Sequence, residues 1–293
     1  MTTALTQNPY FRLMRFDRPI GTLLLLWPAL WALWLAAGGL PSVKNLVIFL
    51  LGVVVMRAAG CVINDYADRE WDGAVARTSN RPLATGEISA KSALWLFVLL
   101  MLLAFGLVLM TDLLTIELSV IGALLAATYP FMKRYHHLPQ VVLGLCWAWS
   151  IPMIFSAETG TVPASVWPLF AAVVCWTLAF DTFYAMVDRE DDIAVGIKSS
   201  AILFGRADLL LIGGFQVATI ALLALSGFLF ERGVLFYFGL VIAAVMFARQ
   251  QWQSRSRQRD KCFAAFLNNN RVGAVIFIGL LSDYHLAPLL ISN

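Results

Sequence analysis

A chain of 293 residues with 60% hydrophobic residues, 13% charged residues, a mean hydropathy of +0.78 and a net charge of +3 lies far from the soluble average of about 45–50% apolar and about 25% charged. That composition makes lipid the solvent and excludes an ordinary soluble domain. The basic residues are dispersed along the loops, which excludes a nucleic-acid partner, and no obligate protein partner is evident.

The first 18 residues are mixed and carry Arg12, Arg15 and Arg18. The run from Pro19 to Leu40 has 22 residues without a charge, too long for a signal-peptide core and suited to a spanning helix. Eight further spans are expected at roughly 45–64, 92–110, 112–131, 138–156, 163–186, 209–230, 233–250 and 271–291. The expected fold class is therefore all-α, a polytopic membrane protein of nine transmembrane helices. Cys61, Cys146, Cys175 and Cys262 have no CxxC spacing and read as packed small hydrophobes, with no disulfide and no zinc expected.

Charge gives the orientation. Of 21 Lys and Arg residues, Arg57 falls inside a span. Of the remaining 20, only Lys44 and Arg232 fall on the side opposite the N-terminus. The positive-inside pattern then places the N-terminus on the cytoplasmic side of the membrane. Arg255 to Arg259 forms a short basic stretch that reads as an anchor for membrane lipid headgroups. Two loops on the N-terminal side, about 65–91 and 187–208, are long and highly charged. Each begins where an apolar helix meets an acidic cluster. The regions near 57–91 and 181–206 thus read as pseudo-repeats within a single membrane domain spanning 1–293.

Nine of the 18 acidic residues lie in two windows, 64–72 and 181–192. Positions four apart share a helix face. Asn64, Asp68 and Asp72 form one expected stripe, and Asp181, Tyr184, Asp188 and Asp192 form another. Carboxylates so spaced repel each other unless a cation joins them. Oxygen ligands without His or Cys favour Mg2+, Mn2+ or Ca2+ over zinc, and Mg2+ commonly completes its shell with phosphate. Two facing stripes suit a diphosphate clamped between metal ions. A solvated acidic helix end is the competing reading, and the recurrence of the pattern argues against it.

Arg77, Arg81, Lys91, Lys133, Arg134, Lys198 and Arg206 share the layer of the acids, where they can neutralise a polyanion. Tyr129 and Lys133, four apart, can present a hydroxyl and an ammonium to one ligand. Arg57 lies seven residues, two turns, before Asn64 and so on the same face. An intramembrane Arg is a functional candidate by default. It reads either as a binder of a substrate carboxylate or as a structural partner of Asp181.

Asn64-Asp65-xx-Asp68-xxx-Asp72 and Asp181-xx-Tyr184-Ala185-xx-Asp188-xxx-Asp192 resemble the two motifs of the UbiA superfamily of intramembrane aromatic prenyltransferases. The resemblance covers nearly the whole chain. It includes Arg18-Pro19-Ile20-Gly21-Thr22, Met56-Arg57-Ala58-Ala59-Gly60-Cys61, Asn80-Arg81-Pro82-Leu83, Tyr129-xxx-Lys133-Arg134 and Gly196-Ile197-Lys198-Ser199. It implies nine helices around a central cavity under cytoplasmic cap loops, and Mg2+ as cofactor. It also implies transfer of a polyprenyl group from polyprenyl diphosphate to 4-hydroxybenzoate, ortho to the hydroxyl, in the ubiquinone pathway. The implied metal ligands are Asn64, Asp68, Asp72, Asp188 and Asp192. Arg81, Lys133, Arg134, Lys198 and Tyr129 would contact the diphosphate. Arg57, Asp181 and Tyr184 would line the aromatic-acid site, and Asp188, Asp191 or Asp181 would assist proton loss. Two alternatives remain open on the sequence: another acceptor on the same scaffold (a naphthoate, a homogentisate or a haem), or an ion-coupled transporter.

Overall fold

In lipid every backbone polar group must be satisfied internally, so a long apolar segment folds as a helix. The computed structural model describes residues 7–74 and 78–286, and nine helices long and apolar enough to cross a membrane occur among them. They are α1 (Ile20–Ala37), α2 (Val43–Asp68), α3 (Ala90–Val108), α4 (Leu113–Arg134), α5 (Pro139–Thr159), α6 (Val166–Val195), α7 (Ser200–Leu229), α8 (Val234–Ser254) and α9 (Arg259–His285). The chain is an all-helical, multi-pass membrane protein. Arg77 and residues 287–291, the end of the last predicted span, lie outside the described residues.

Each predicted span has a counterpart, but four helices begin or end elsewhere, α7 starting at Ser200 rather than at the predicted residue 209. α2 and α6 run past their apolar stretches and carry acidic residues on their last turns. α9 starts at Arg259, well before the predicted residue 271. Its first turn, residues 259–261, is charged and exposed, while the polar Asn269 and Asn270 further along pack against protein. Asn269 is fully buried and accepts a hydrogen bond from the Trp176 indole at 2.8 Å. Asn270 accepts one from the Trp27 indole at 2.8 Å. A hydropathy reading assumes lipid around every residue and so misses these turns.

Between helices in lipid, close packing replaces the hydrophobic drive, and small residues let backbones approach. At the α8–α9 contact a side chain on Gly239 would start 3.1 Å from the Gly279 Cα. α6 packs against α5, α7 and α9, while α1 packs against α2, α5 and α9. Trp31 of α1 and Trp176 of α6 meet at 5.2 Å between ring centroids, and Phe180 lies 5.4 Å from Trp176. α3 and α4 sit outside and expose Trp95, Leu99, Leu102 and Leu124 to lipid.

Two irregularities shape the interior. The last six residues of α4, Tyr129–Arg134, tighten into a 3-10 turn with Pro130 near its start. α5 is interrupted at Trp149, three residues before Pro152, whose missing N–H leaves the Ala148 carbonyl without its helical bond.

Candidate functional site

The first acidic motif does not form the single helical stripe that its spacing suggests. α2 carries Asn64, Asp65 and Asp68 and then stops, with Arg69 as its C-cap. Asp72 opens a separate 3-10 turn, Asp72–Ala74. Local bonds end the helix. The Arg69 guanidinium donates to the Tyr66 carbonyl at 2.7 Å and lies over the Tyr66 ring. The Trp71 amide folds back to the Asp68 carbonyl at 2.8 Å. A tertiary contact then returns Asp72 to its neighbours. Arg81 bonds both Asp72 oxygens, at 2.9 and 2.8 Å, and approaches Asp65 at 3.1 Å and Asp68 at 3.8 Å.

Two further cations complete this node. Arg15, ahead of α1, bonds both Asp65 oxygens at 2.9 and 2.8 Å. Lys133, in the 3-10 turn of α4, bonds Asp68 through its ammonium. The Asn64 amide donates to the same Asp68 oxygen at 3.2 Å. Burial pushes the Asp72 carboxyl up to about 6, with Arg81 opposing that rise and the Asp68 and Asp65 charges adding to it.

The second motif follows its spacing. Asp181, Tyr184, Asp188 and Asp192 lie along one face of uninterrupted α6, and all four line the cavity described next. Gly196 ends the helix at φ 75°, a left-handed conformation that favours glycine. Tyr184 packs on Phe266 of α9, with centroids 4.7 Å apart. Asp191 does not line that cavity itself; with Glu190 it pairs Arg259, a residue of the cavity rim, at 3.3 and 2.8 Å respectively.

Both motifs face one cavity of about 720 Å³. The acids, Arg81, Lys133 and Lys198 lie at one end, and Leu24, Leu143, Trp147 and Phe180 form apolar wall. Tyr129 and Arg57 also line it. Arg57 lies over the Trp147 ring, 5.9 Å from its centroid, and Asp181, Tyr129 and Tyr184 are near enough to act on its charge. A second, mostly apolar cavity of about 170 Å³ adjoins between α2, α3, α4 and α5, sharing Arg57, Tyr129 and Trp147 with the first.

Of the described residues expected from sequence, Lys91, Arg134, Asp191 and Arg206 do not line the main cavity. Arg134 instead donates to the Ala67 carbonyl at 2.7 Å and lies over the Trp71 ring. Lys198 lines the cavity and donates to the Tyr135 carbonyl at 3.1 Å. Sequence reasoning missed Arg15, Asp65 and Gln140. Asp65 stands in the first motif but off the fourfold spacing. Gln140 is buried with its Oε1 lacking a hydrogen-bond partner, and nothing around it in the sequence marks it.

The donor set suits a hard divalent cation. It is made of oxygens, and Asp68 keeps one buried carboxylate oxygen without a hydrogen-bond partner. Among the described residues no three acids, Cys or His stand together as a ready-made metal cage. Mg2+ does not require one, since it usually takes one or two carboxylates and fills its shell with water and phosphate.

The sequence profile of the UbiA prenyltransferase family matches residues 25–277. The chain is 57% identical over 277 residues to a protein of Alkalilimnicola ehrlichii named 4-hydroxybenzoate octaprenyltransferase, covering 94% of each chain. Its fold is similar to that of a UbiA homolog from Aeropyrum pernix K1, with a TM-score of 0.80 at 24% identity over 89% of this chain and 97% of the other. A UbiA homolog from Archaeoglobus fulgidus bound to GPP and Mg2+ gives a TM-score of 0.72 at 19% identity, over 94% of this chain and 100% of that one.

Proposed function

The chain belongs to the UbiA prenyltransferase family, and from that premise we propose that it joins the polyprenyl group of a polyprenyl diphosphate to 4-hydroxybenzoate, with Mg2+ as cofactor, in ubiquinone biosynthesis. The observation that carries the reading is the polarity of the cavity. Two acidic motifs and a set of basic residues that includes Arg15, Arg81, Lys133 and Lys198 line it, and the Arg57 guanidinium stands about two helical turns deeper than Asn64, roughly 10 Å at 1.5 Å per residue.

In this reading Asn64, Asp68, Asp72, Asp188 and Asp192 hold Mg2+, which when bound supplies Lewis-acid neutralisation of the leaving diphosphate. Arg81 and Lys133, partners of the acids in the free protein, exchange carboxylate for diphosphate oxygens. Lys198 and Tyr129 add donors, and Arg134 steadies the α2 end from outside. Arg57 takes the acceptor carboxylate, a match for its planar fork. The allylic C–O bond breaks, and its electron pair leaves on the diphosphate. The carbon ortho to the phenol hydroxyl then bonds the allylic carbon. The ring proton passes to a cavity-facing carboxylate, Asp188 or Asp181, which favours them over Asp191. Trp147, Phe180 and Leu24 keep water from the cation.

Membranes carrying the protein should release diphosphate only when labelled prenyl diphosphate, 4-hydroxybenzoate and Mg2+ are all present. Release without an aromatic acid, or equal use of a naphthoate or homogentisate, would reject this acceptor. The family reading puts the chain in a bacterial inner membrane, and the positive-inside count supports an N-terminus in the cytoplasm. Cysteines introduced at Lys198 and Arg257 should then label from the cytoplasm, and those at Gly160 and Arg232 from the other side.

A further inference from the structure

Arg57 belongs to α2, yet its guanidinium is shaped by two other helices. On one side lies the Trp147 ring of α5. On the other lies the backbone of α1 at Gly21. A Cβ built there would stand 2.2 Å from Nη2 and 2.4 Å from both Cζ and Nε of Arg57. Its three nearest heavy atoms all belong to that guanidinium, so the plane as a whole rests where a side chain would begin. We propose that Gly21 positions Arg57 for the acceptor carboxylate, its missing side chain forming the slot that receives the guanidinium. The inference rests on the reading of Arg57 given above.

The consequence of filling the slot follows from contact distances. Carbon and nitrogen atoms sit about 3.5 Å apart at closest comfortable approach, so a methyl at position 21 must push Arg57 back by roughly 1.3 Å. The group that yields is the far end of a flexible side chain rather than backbone, and Ala is a better helix former than Gly. Gly21→Ala therefore shifts the carboxylate-binding fork while leaving the fold intact. The contrast is Gly273, where a Cβ would meet the Trp27 ring at 2.4 Å and the obstacle is a bulky packed indole.

Displacement of a binding group by about 1 Å can cost up to about 10²-fold. The full-length protein in membranes with Gly21→Ala should show an apparent KM for 4-hydroxybenzoate raised about 10–100-fold. The KM for the prenyl diphosphate and the thermal midpoint should stay unchanged. In an Arg57→Ala background the same change should add nothing, since no guanidinium remains to displace. Additive effects, or an equal rise in both KM values, overturn the inference. An unchanged acceptor KM in Gly21→Ala beside a raised one in Arg57→Ala overturns the role of Gly21 alone. An unchanged acceptor KM in Arg57→Ala removes the carboxylate reading and this inference with it. Should Gly21→Ala fail to fold, Arg57→Ala must restore folding, and a double variant that still does not fold rejects the slot.

Discussion

The two acidic motifs carry similar numbers of carboxylates and are built in different ways. The second lies within one helix, and its spacing alone brings Asp181, Tyr184, Asp188 and Asp192 to the cavity. The first crosses a helix end. Its carboxylates are brought together by cations from three separate places in the chain: Arg15 before α1, Arg81 after the motif and Lys133 at the end of α4. A helix presents ligands by its own backbone geometry, whereas a node of ion pairs presents them only once the surrounding chain has folded. The same chemistry therefore rests on local structure at one motif and on tertiary structure at the other.

The largest effect should be common to both motifs. Asp68→Ala and Asp188→Ala should each lower turnover by at least about 10²–10³-fold, the loss typical of a transition-state electrostatic contact. Product formation in membranes at ordinary Mg2+ measures it, and near-normal turnover in either variant removes that motif from the reaction. The next effect should separate them. Among the described residues Arg81 is the one guanidinium that reaches Asp65, Asp68 and Asp72 together. Arg81→Gln leaves buried carboxylates with less compensation and should destabilise the metal-free protein by about 3–5 kcal/mol. Added Mg2+ should recover part of that loss, because a ligand of the folded state stabilises it by mass action. An unchanged melting temperature without Mg2+ would show that the node is not held by Arg81.

How much of this was legible in the sequence follows the same division. Lipid forces helices, so nine apolar runs correspond to nine spanning helices among the described residues. The face of α6 followed from 3.6 residues per turn. Three features did not follow. Asp72 left the predicted stripe because Arg69 and Trp71 close the helix behind Asp68. The start of α9 was hidden because its first turn is charged and exposed and because Asn269 and Asn270 are solvated by indole N–H groups of α6 and α1. The pairing of Arg15 with Asp65 joins residues 50 apart, and no periodicity links them.

A titration should also set the motifs apart. Asp72 is held at about 6 in the metal-free protein, above its ordinary value of 3.8, because it is buried. The sign follows directly. Between about pH 4 and 6 the folded protein keeps a proton that the unfolded chain has released, so this contribution to stability is present below pH 4 and fades as pH rises through 6. A metal needs the ionised carboxylate, so the rise in melting temperature on adding Mg2+ should weaken as pH falls below about 6. Asp72→Asn should abolish that pH dependence. Mg2+ stabilisation that stays constant from pH 7 to pH 5 (about one unit to either side of the Asp72 value) would take Asp72 out of the metal site.

The smallest effect should come from Asp191, and it tests whether α6 itself sets the second motif. One residue of helix is about 100° of rotation, so Asp191 and its neighbour Asp192 cannot share a face. Asp192 lines the cavity, while Asp191 pairs Arg259, which is 45% exposed and also bonds Glu190. An ion pair this open to solvent is worth about 0–1 kcal/mol. Asp191→Ala should therefore leave turnover and melting temperature close to those of the unaltered protein, whereas Asp192→Ala should lose most of its turnover. If Asp191→Ala proves as damaging as Asp192→Ala, α6 cannot keep its register when the substrates enter. The second motif would then depend, like the first, on contacts made elsewhere in the fold.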